Sequence, residues 1–163
     1  MYDHQGTDGF AAPIDDRYFE DYTAGATYEY GSVVVTQEEI IDFASRYDPQ
    51  SFHIDPVAAK QGPFGGLVAS GWHTVALMMQ LFARHYLSTV ASLGSPGVDE
   101  LRWLKPVRPG DELGLRVRTL DTRLSRSDPR RGIVRTHAEL VGQDGEPVLR
   151  VTVVNLLRTR DGA

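Results

Sequence analysis

One segment constrains the fold more than any other: GWHTVALMMQLFARHYL, from Gly71 to Leu87, is the most apolar stretch of the chain. It is shorter than the roughly 20 apolar residues needed to cross a bilayer, and it carries Gln80, Arg84 and His85 inside it. It therefore predicts a helix buried in protein. Trp72, Val75, Met79, Phe82 and Tyr86 follow alternating three- and four-residue steps, while Leu77, Met78 and Leu81 widen the apolar face most of the way round. Such a helix needs a surrounding wall.

The C-terminal half supplies that wall as strand patterns. LRWLKPVRPGDELGLRVRTL reads as a strand, a Pro-Gly-Asp turn and a second strand, in which Leu113, Leu115 and Val117 alternate with Arg116 and Arg118. In IVRTHAELV, Val134, Thr136, Ala138 and Leu140 share one face, with Arg135, His137 and Glu139 opposite. Asp144-Gly145 is a hairpin signal, and Leu149, Val151, Val153 and Leu157 alternate after it. These strands read as an antiparallel meander. Upstream, TYEYGSVVVT reads as one more strand, and Thr36 with Glu39 fits a capping box opening the helix QEEIIDFASRY. The expected fold is α+β: a single domain with a curved antiparallel sheet wrapped around one long central helix. The sheet's edges and partly apolar outer face suit a second copy, so a homodimer or higher homo-oligomer is expected.

A chain of 163 residues, 41% hydrophobic and 24% charged, suits one soluble domain. Its net charge of -5 at pH 7 disfavours nucleic acid as a partner. Without cysteine there is no disulfide, thiolate metal site or cysteine nucleophile. Residues 1–15 are acidic, lack an export signal and are expected to form a flexible arm before a domain at 16–160. No membrane association is expected, and cytoplasm is the default location.

Between the two helices lies YDPQSFHIDP, residues 47–56. Pro49 and Pro56 bias Asp48 and Asp55 away from helical geometry. Asp55 before Pro56 fits an N-cap. Asp48 read alone is a turn residue, and a lone histidine such as His53 is most often structural.

With the residues that follow, however, the segment resembles the MaoC-like dehydratases, a hot-dog-fold family that includes (R)-specific enoyl-CoA hydratases. Asp48, four intervening residues, His53 and then DPVAA match the family's hydratase motif, and Gly71 in LVASGWHT stands where the family begins its central helix. DELRWLKPVRPGDEL is also similar, and the likeness spans residues 17–158. Tyr47, Gln50 and Ser51 depart from the usual glycine and Asn-Pro. The resemblance implies Asp48 and His53 as catalytic residues and an oxyanion hole at the Gly71 amide. It implies no cofactor, since coenzyme A enters as part of the substrate.

The chemistry fits these residue types. Hydrating an enoyl thioester needs a water aimed at the β-carbon and a hydrogen bond to the developing enolate oxygen. A carboxylate and an imidazole can grip the water. A glycine amide at a helix N-terminus can serve the oxygen.

Ser70 precedes that amide and is read as a helix cap or an assisting group. Phe52 and Phe64 are read as packing residues or as walls of an acyl tunnel. Arg130 and Arg131, within the basic stretch RLSRSDPRRG, are read as a solvated loop or as contacts for coenzyme A phosphates. His73 and His85 lack metal-ligand spacing, GPFGG is no phosphate loop, and no metal is expected. Three functions follow: hydration or dehydration of an acyl-CoA or acyl-carrier thioester, thioester hydrolysis, or silent acyl-CoA binding. The stretch from Trp72 to Leu87 carries no Asp or Glu, which disfavours the hydrolytic version.

Overall fold

A computed structural model describes residues 9–162. Residues 1–8, most of the expected arm, lie outside the described residues. Strand β1 (Thr27–Val34) buries Tyr28 and Tyr30. Thr36 then opens α1 (Gln37–Tyr47) with the expected capping box: its hydroxyl accepts from the Glu39 N–H at 3.2 Å, and Glu39 Oε2 accepts from the Thr36 N–H at 3.1 Å. Two single turns follow, α2 (Ser51–Ile54) and α3 (Pro56–Ala59), the second capped by Asp55 Oδ1, which accepts from Val57 N–H and Ala58 N–H at 2.9 and 3.0 Å.

The long helix α4 (Gly71–His85) lies against a five-stranded antiparallel sheet completed by β2 (Gly97–Trp103), β3 (Glu112–Leu124), β4 (Arg131–Val141) and β5 (Pro147–Arg158). The inward residues of β3, β4 and β5 are those the alternation predicts, with Leu113, Leu115, Val117, Val134, Ala138, Leu140, Leu149, Val151, Val153 and Leu157 all buried. Each large aliphatic side chain contributes roughly 1.5–3 kcal/mol by leaving water. Outside, Glu29, Arg116 and Glu139 form a cross-strand row of ion pairs. This is the α+β hot-dog arrangement, in one domain.

Three expectations need correction. The sheet order is β1-β3-β4-β5-β2. Only β3, β4 and β5 therefore meander. The Pro-Gly-Asp turn is present, with Gly110 at φ 90°, yet β2 pairs with β5 at the far edge, away from β3. A turn signal specifies local reversal, and which strand accepts the neighbour is decided by the apolar surface to be covered. Second, two residues expected on the buried face of α4 lie outside it. Thr74, Leu77, Met78, Leu81 and Phe82 face the sheet, while Trp72 and Met79 are 58% and 42% exposed. A helix apolar almost all round has no unique seam for periodicity to find.

Third, residues 9–15 are folded onto the body. Phe10 stacks on Tyr28 at 4.5 Å between centroids and meets Tyr22 and Tyr86 edge on. Arg17, fully buried, donates to the carbonyls of His85 and Tyr86 at 3.0 Å each, satisfying acceptors at the C-terminus of α4. The Phe10 ring lies 3.6 Å beneath that guanidinium. Within residues 9–15, the Ala12 carbonyl accepts from the same guanidinium at 3.3 Å and the Ile14 carbonyl accepts from the Thr89 N–H at 3.1 Å.

Candidate active site

The site is built where α1 ends. Asp48 is its C-cap, and its backbone (φ -153°, ψ 68°) leaves the helix before Pro49. Gln50 then caps α2, whose short turn swings His53 back beside Asp48. Segment 67–70 locks the arrangement from the other side. Val68 N–H donates to the Phe52 carbonyl at 3.1 Å, and Ala69 N–H donates to the Val107 carbonyl at 2.8 Å.

Asp48 and His53 meet with 3.3 Å between Oδ2 and Nε2. The other imidazole nitrogen, Nδ1, lies 2.7 Å from the Val68 carbonyl oxygen. A carbonyl can only accept, so Nδ1 carries a hydrogen, and in the neutral ring Nε2 presents its lone pair beside the carboxylate. Asp48 is itself held at both oxygens: Ser70 Oγ donates to Oδ2 and Gln50 Nε2 donates to Oδ1, each at 2.7 Å. Burial pushes the Asp48 carboxyl upward, but the Ser70 and Gln50 hydrogen bonds, aided by the charge of His53 when its ring is protonated, outweigh it and hold the group below the ordinary carboxylate range. Asp48 is therefore ionised at neutral pH. With the ring neutral, two acceptor atoms, one on each residue, border the same space.

That space is a cavity of about 420 Å³ lined by Asp48, Gln50, His53 and Gly71, with Phe52, Phe64, Trp72 and Trp103 among its apolar walls. Gly71 is the first residue of α4, where its N–H has no acceptor within the helix. Ser70 caps α4 and has a further contact with the carboxylate. Its hydroxyl donates to Asp48 and accepts from the Trp72 N–H at 3.3 Å. Phe52 meets the His53 ring edge on at 4.5 Å and Phe64 at 5.4 Å. These aromatics pack together and wall the cavity at once.

Arg130 and Arg131 are not part of this lining. They sit at the β3–β4 turn, where Arg130 pairs with Asp128 at 3.1 Å and Arg131 donates to Ser127 Oγ at 3.3 Å. The cation on the cavity wall is Lys105, paired with Asp144 at 3.2 Å. Lys105 and Trp103 were not assigned to the site from the sequence, since each reaches the cavity through segments far apart in the chain, whereas the Gln50 contact spans only two residues. Tyr47, another departure from the motif, is 70% exposed and packs on Phe43, away from the carboxylate. Among the described residues no helix is long and apolar enough to cross a membrane, and no three His, Asp or Glu residues cluster as metal ligands.

Comparison with known proteins identifies the family. The family model described as "MaoC like domain" matches residues 21–141. An uncharacterized protein of Bacillus subtilis is 30% identical over 109 residues, covering 67% of this chain and 77% of its own. A 3-hydroxyacyl-thioester dehydratase of Mycobacterium tuberculosis is 35% identical over 106 residues, 63% of this chain and 66% of that protein. The crystal structure of a MaoC-like dehydratase from Rhodospirillum rubrum superposes with a TM-score of 0.79 at 36% identity, over 88% of this chain and 98% of that one. An R-hydratase from Pseudomonas aeruginosa shares the fold, with a TM-score of 0.69 at 21% identity, over 88% and 86% of the two chains. The chain belongs to the MaoC-like dehydratase family.

Proposed function

We propose that the protein adds water reversibly to a trans-2-enoyl thioester, giving a 3-hydroxyacyl thioester. The observation that carries this reading is the pair of acceptor atoms, Asp48 Oδ2 and His53 Nε2, 3.3 Å apart on the wall of the cavity that also includes Gly71. One water donates to both acceptors. Because Nδ1–H is committed to the Val68 carbonyl, Nε2 is free to take a proton. As the water oxygen bonds to the β-carbon, the π electrons move onto the thioester oxygen, and the Gly71 N–H stabilises the enolate. The proton held by the dyad then passes to the α-carbon on the same face. Hydroxide equivalent and proton together account for one water, added syn.

Gln50 supports activity in place of the usual asparagine, since its amide still donates to Asp48. A silent binding module would have no need of an ionised, doubly held carboxylate. The thioester is carried on coenzyme A or a carrier protein, with Lys105 as the cation available to a phosphate. The exposed β2 edge, with Val98 51% and Trp103 46% accessible, is the surface for a second copy.

The test is incubation with crotonyl-CoA and with longer and branched enoyl-CoAs, following both the conjugated absorbance and the release of free thiol. Absorbance should fall without thiol release. Asp48→Asn and His53→Ala should each lower the rate about 10²-fold or more. Near wild-type turnover in either variant removes that residue from the mechanism, and thiol release would establish hydrolysis instead.

A further inference from the structure

The backbone at Gly71 does not enter the left-handed region. Alanine is thus conformationally acceptable there, and what demands glycine is space. A Cβ at this position would lie 2.6 Å from Nε1, 2.7 Å from Cε2 and 3.1 Å from Cδ1 of Trp103. The space beside its Cα is filled by an indole from β2, an edge strand of the sheet. The same indole donates its N–H to the Gly71 carbonyl at 2.8 Å and meets Trp72 edge to face at 5.3 Å.

We infer that Trp103 is a positioning residue for the Gly71 amide. The first turn of a helix is its least restrained part, since its N–H groups lack intrahelical acceptors. Here the Ser70 cap is long, 3.3 Å from hydroxyl to the Trp72 amide. The Trp103 bond is shorter, and its donor sits on fixed backbone: Trp103 pairs with Leu149 of β5, and the Leu104 N–H donates to the Val148 carbonyl at 2.8 Å. The indole therefore clamps the peptide that follows Gly71 while its ring presses on the Gly71 Cα. An oxyanion donor works only where charge develops, so a small shift of this amide weakens the transition state. The clamp acts on the peptide, so it governs rate more than substrate affinity.

This inference rests on the hydration reading, and the experiment separates the two. Trp103→Phe keeps an aromatic ring and removes the N–H. Its kcat should fall about 3- to 10-fold with KM changed less than about twofold. Gly71→Ala, which drives the indole away, should cost less in the Trp103→Phe background than in the wild type. The protein has two tryptophans, so its ¹⁵N spectrum has two indole N–H signals, and the one lost in Trp103→Phe should exchange more slowly with solvent. Unchanged kcat, additive losses, or an indole N–H exchanging as fast as that of Trp72 would each overturn the clamp. A protected indole in a wild-type protein that hydrates no enoyl thioester would instead sink the hydration reading.

Discussion

Replacing Ser70 by alanine removes the donor to Asp48 Oδ2 at 2.7 Å and the 3.3 Å cap on the Trp72 amide. A hydrogen bond to a charged acceptor contributes about 1.5–3 kcal/mol. A cap this long belongs at the low end of its range, about 0.5 kcal/mol. The Asp48 side chain is 19% exposed, so water recovers part of the lost bond. The expected destabilisation is about 2 kcal/mol near neutral pH, a fall of roughly 4–8 °C in melting temperature for a chain of this length. Its pH dependence follows from Asp48. The folded carboxyl is held below its unfolded value, so its contribution is complete above the unfolded pKa of about 3.9 and is lost as pH falls through the folded value. The difference between wild type and Ser70→Ala should therefore be full near pH 7 and shrink toward the cap contribution as pH drops below about 4. Urea unfolding of both proteins across that range measures it. A difference under about 0.5 kcal/mol at neutral pH, or one that does not change on acidification, would refute the reasoning.

Other perturbations test the frame around the site. Tyr86→Phe removes a hydroxyl that bridges Thr119 and Thr136 at 2.7 and 2.9 Å, leaving two buried threonine hydroxyls short of a partner; urea unfolding should show a loss of about 1–3 kcal/mol. Burial pushes that phenol up to about 12, so the loss should not vary between about pH 5 and 9. Gly132→Ala places a Cβ against the Phe19 ring and should cost about 1–3 kcal/mol in the same assay, because the ring must leave its seat on the core. Alanine at both Arg130 and Arg131 should leave KM for a thioester within about twofold of wild type, whereas Lys105→Ala should raise it more in low salt than in high salt.

The helix break that frames the site was legible because its parts are local, while the roles of Asp48 and His53 were implied by the family resemblance. Asp48 and His53 lie on either side of one helix break, and the prolines that force the break are neighbours in the chain. The Asp55 cap and the Thr36–Glu39 box were readable for the same reason, since a cap is a relation between residues two or three apart. Alternation in β3, β4 and β5 identified their inward residues, because a pleat leaves no choice of face once one side is apolar. The exposure of Trp72 and Met79 on α4 was not readable, and neither was the partner of β2. Both depend on which apolar surfaces meet, a quantity no single segment contains.

By itself, then, the sequence determined the elements and the inward faces of the strands, consequences of short-range stereochemistry and periodicity, while the pairing of a carboxylate with an imidazole was implied by the family resemblance. Only the tertiary structure decided that Ser70 donates to Asp48, that the Val68 carbonyl accepts from His53 Nδ1, and that Trp103 fills the space Gly71 leaves. Each of these is a contact through space between segments that chain connectivity leaves free, and their positions are settled by packing the whole sheet against one helix.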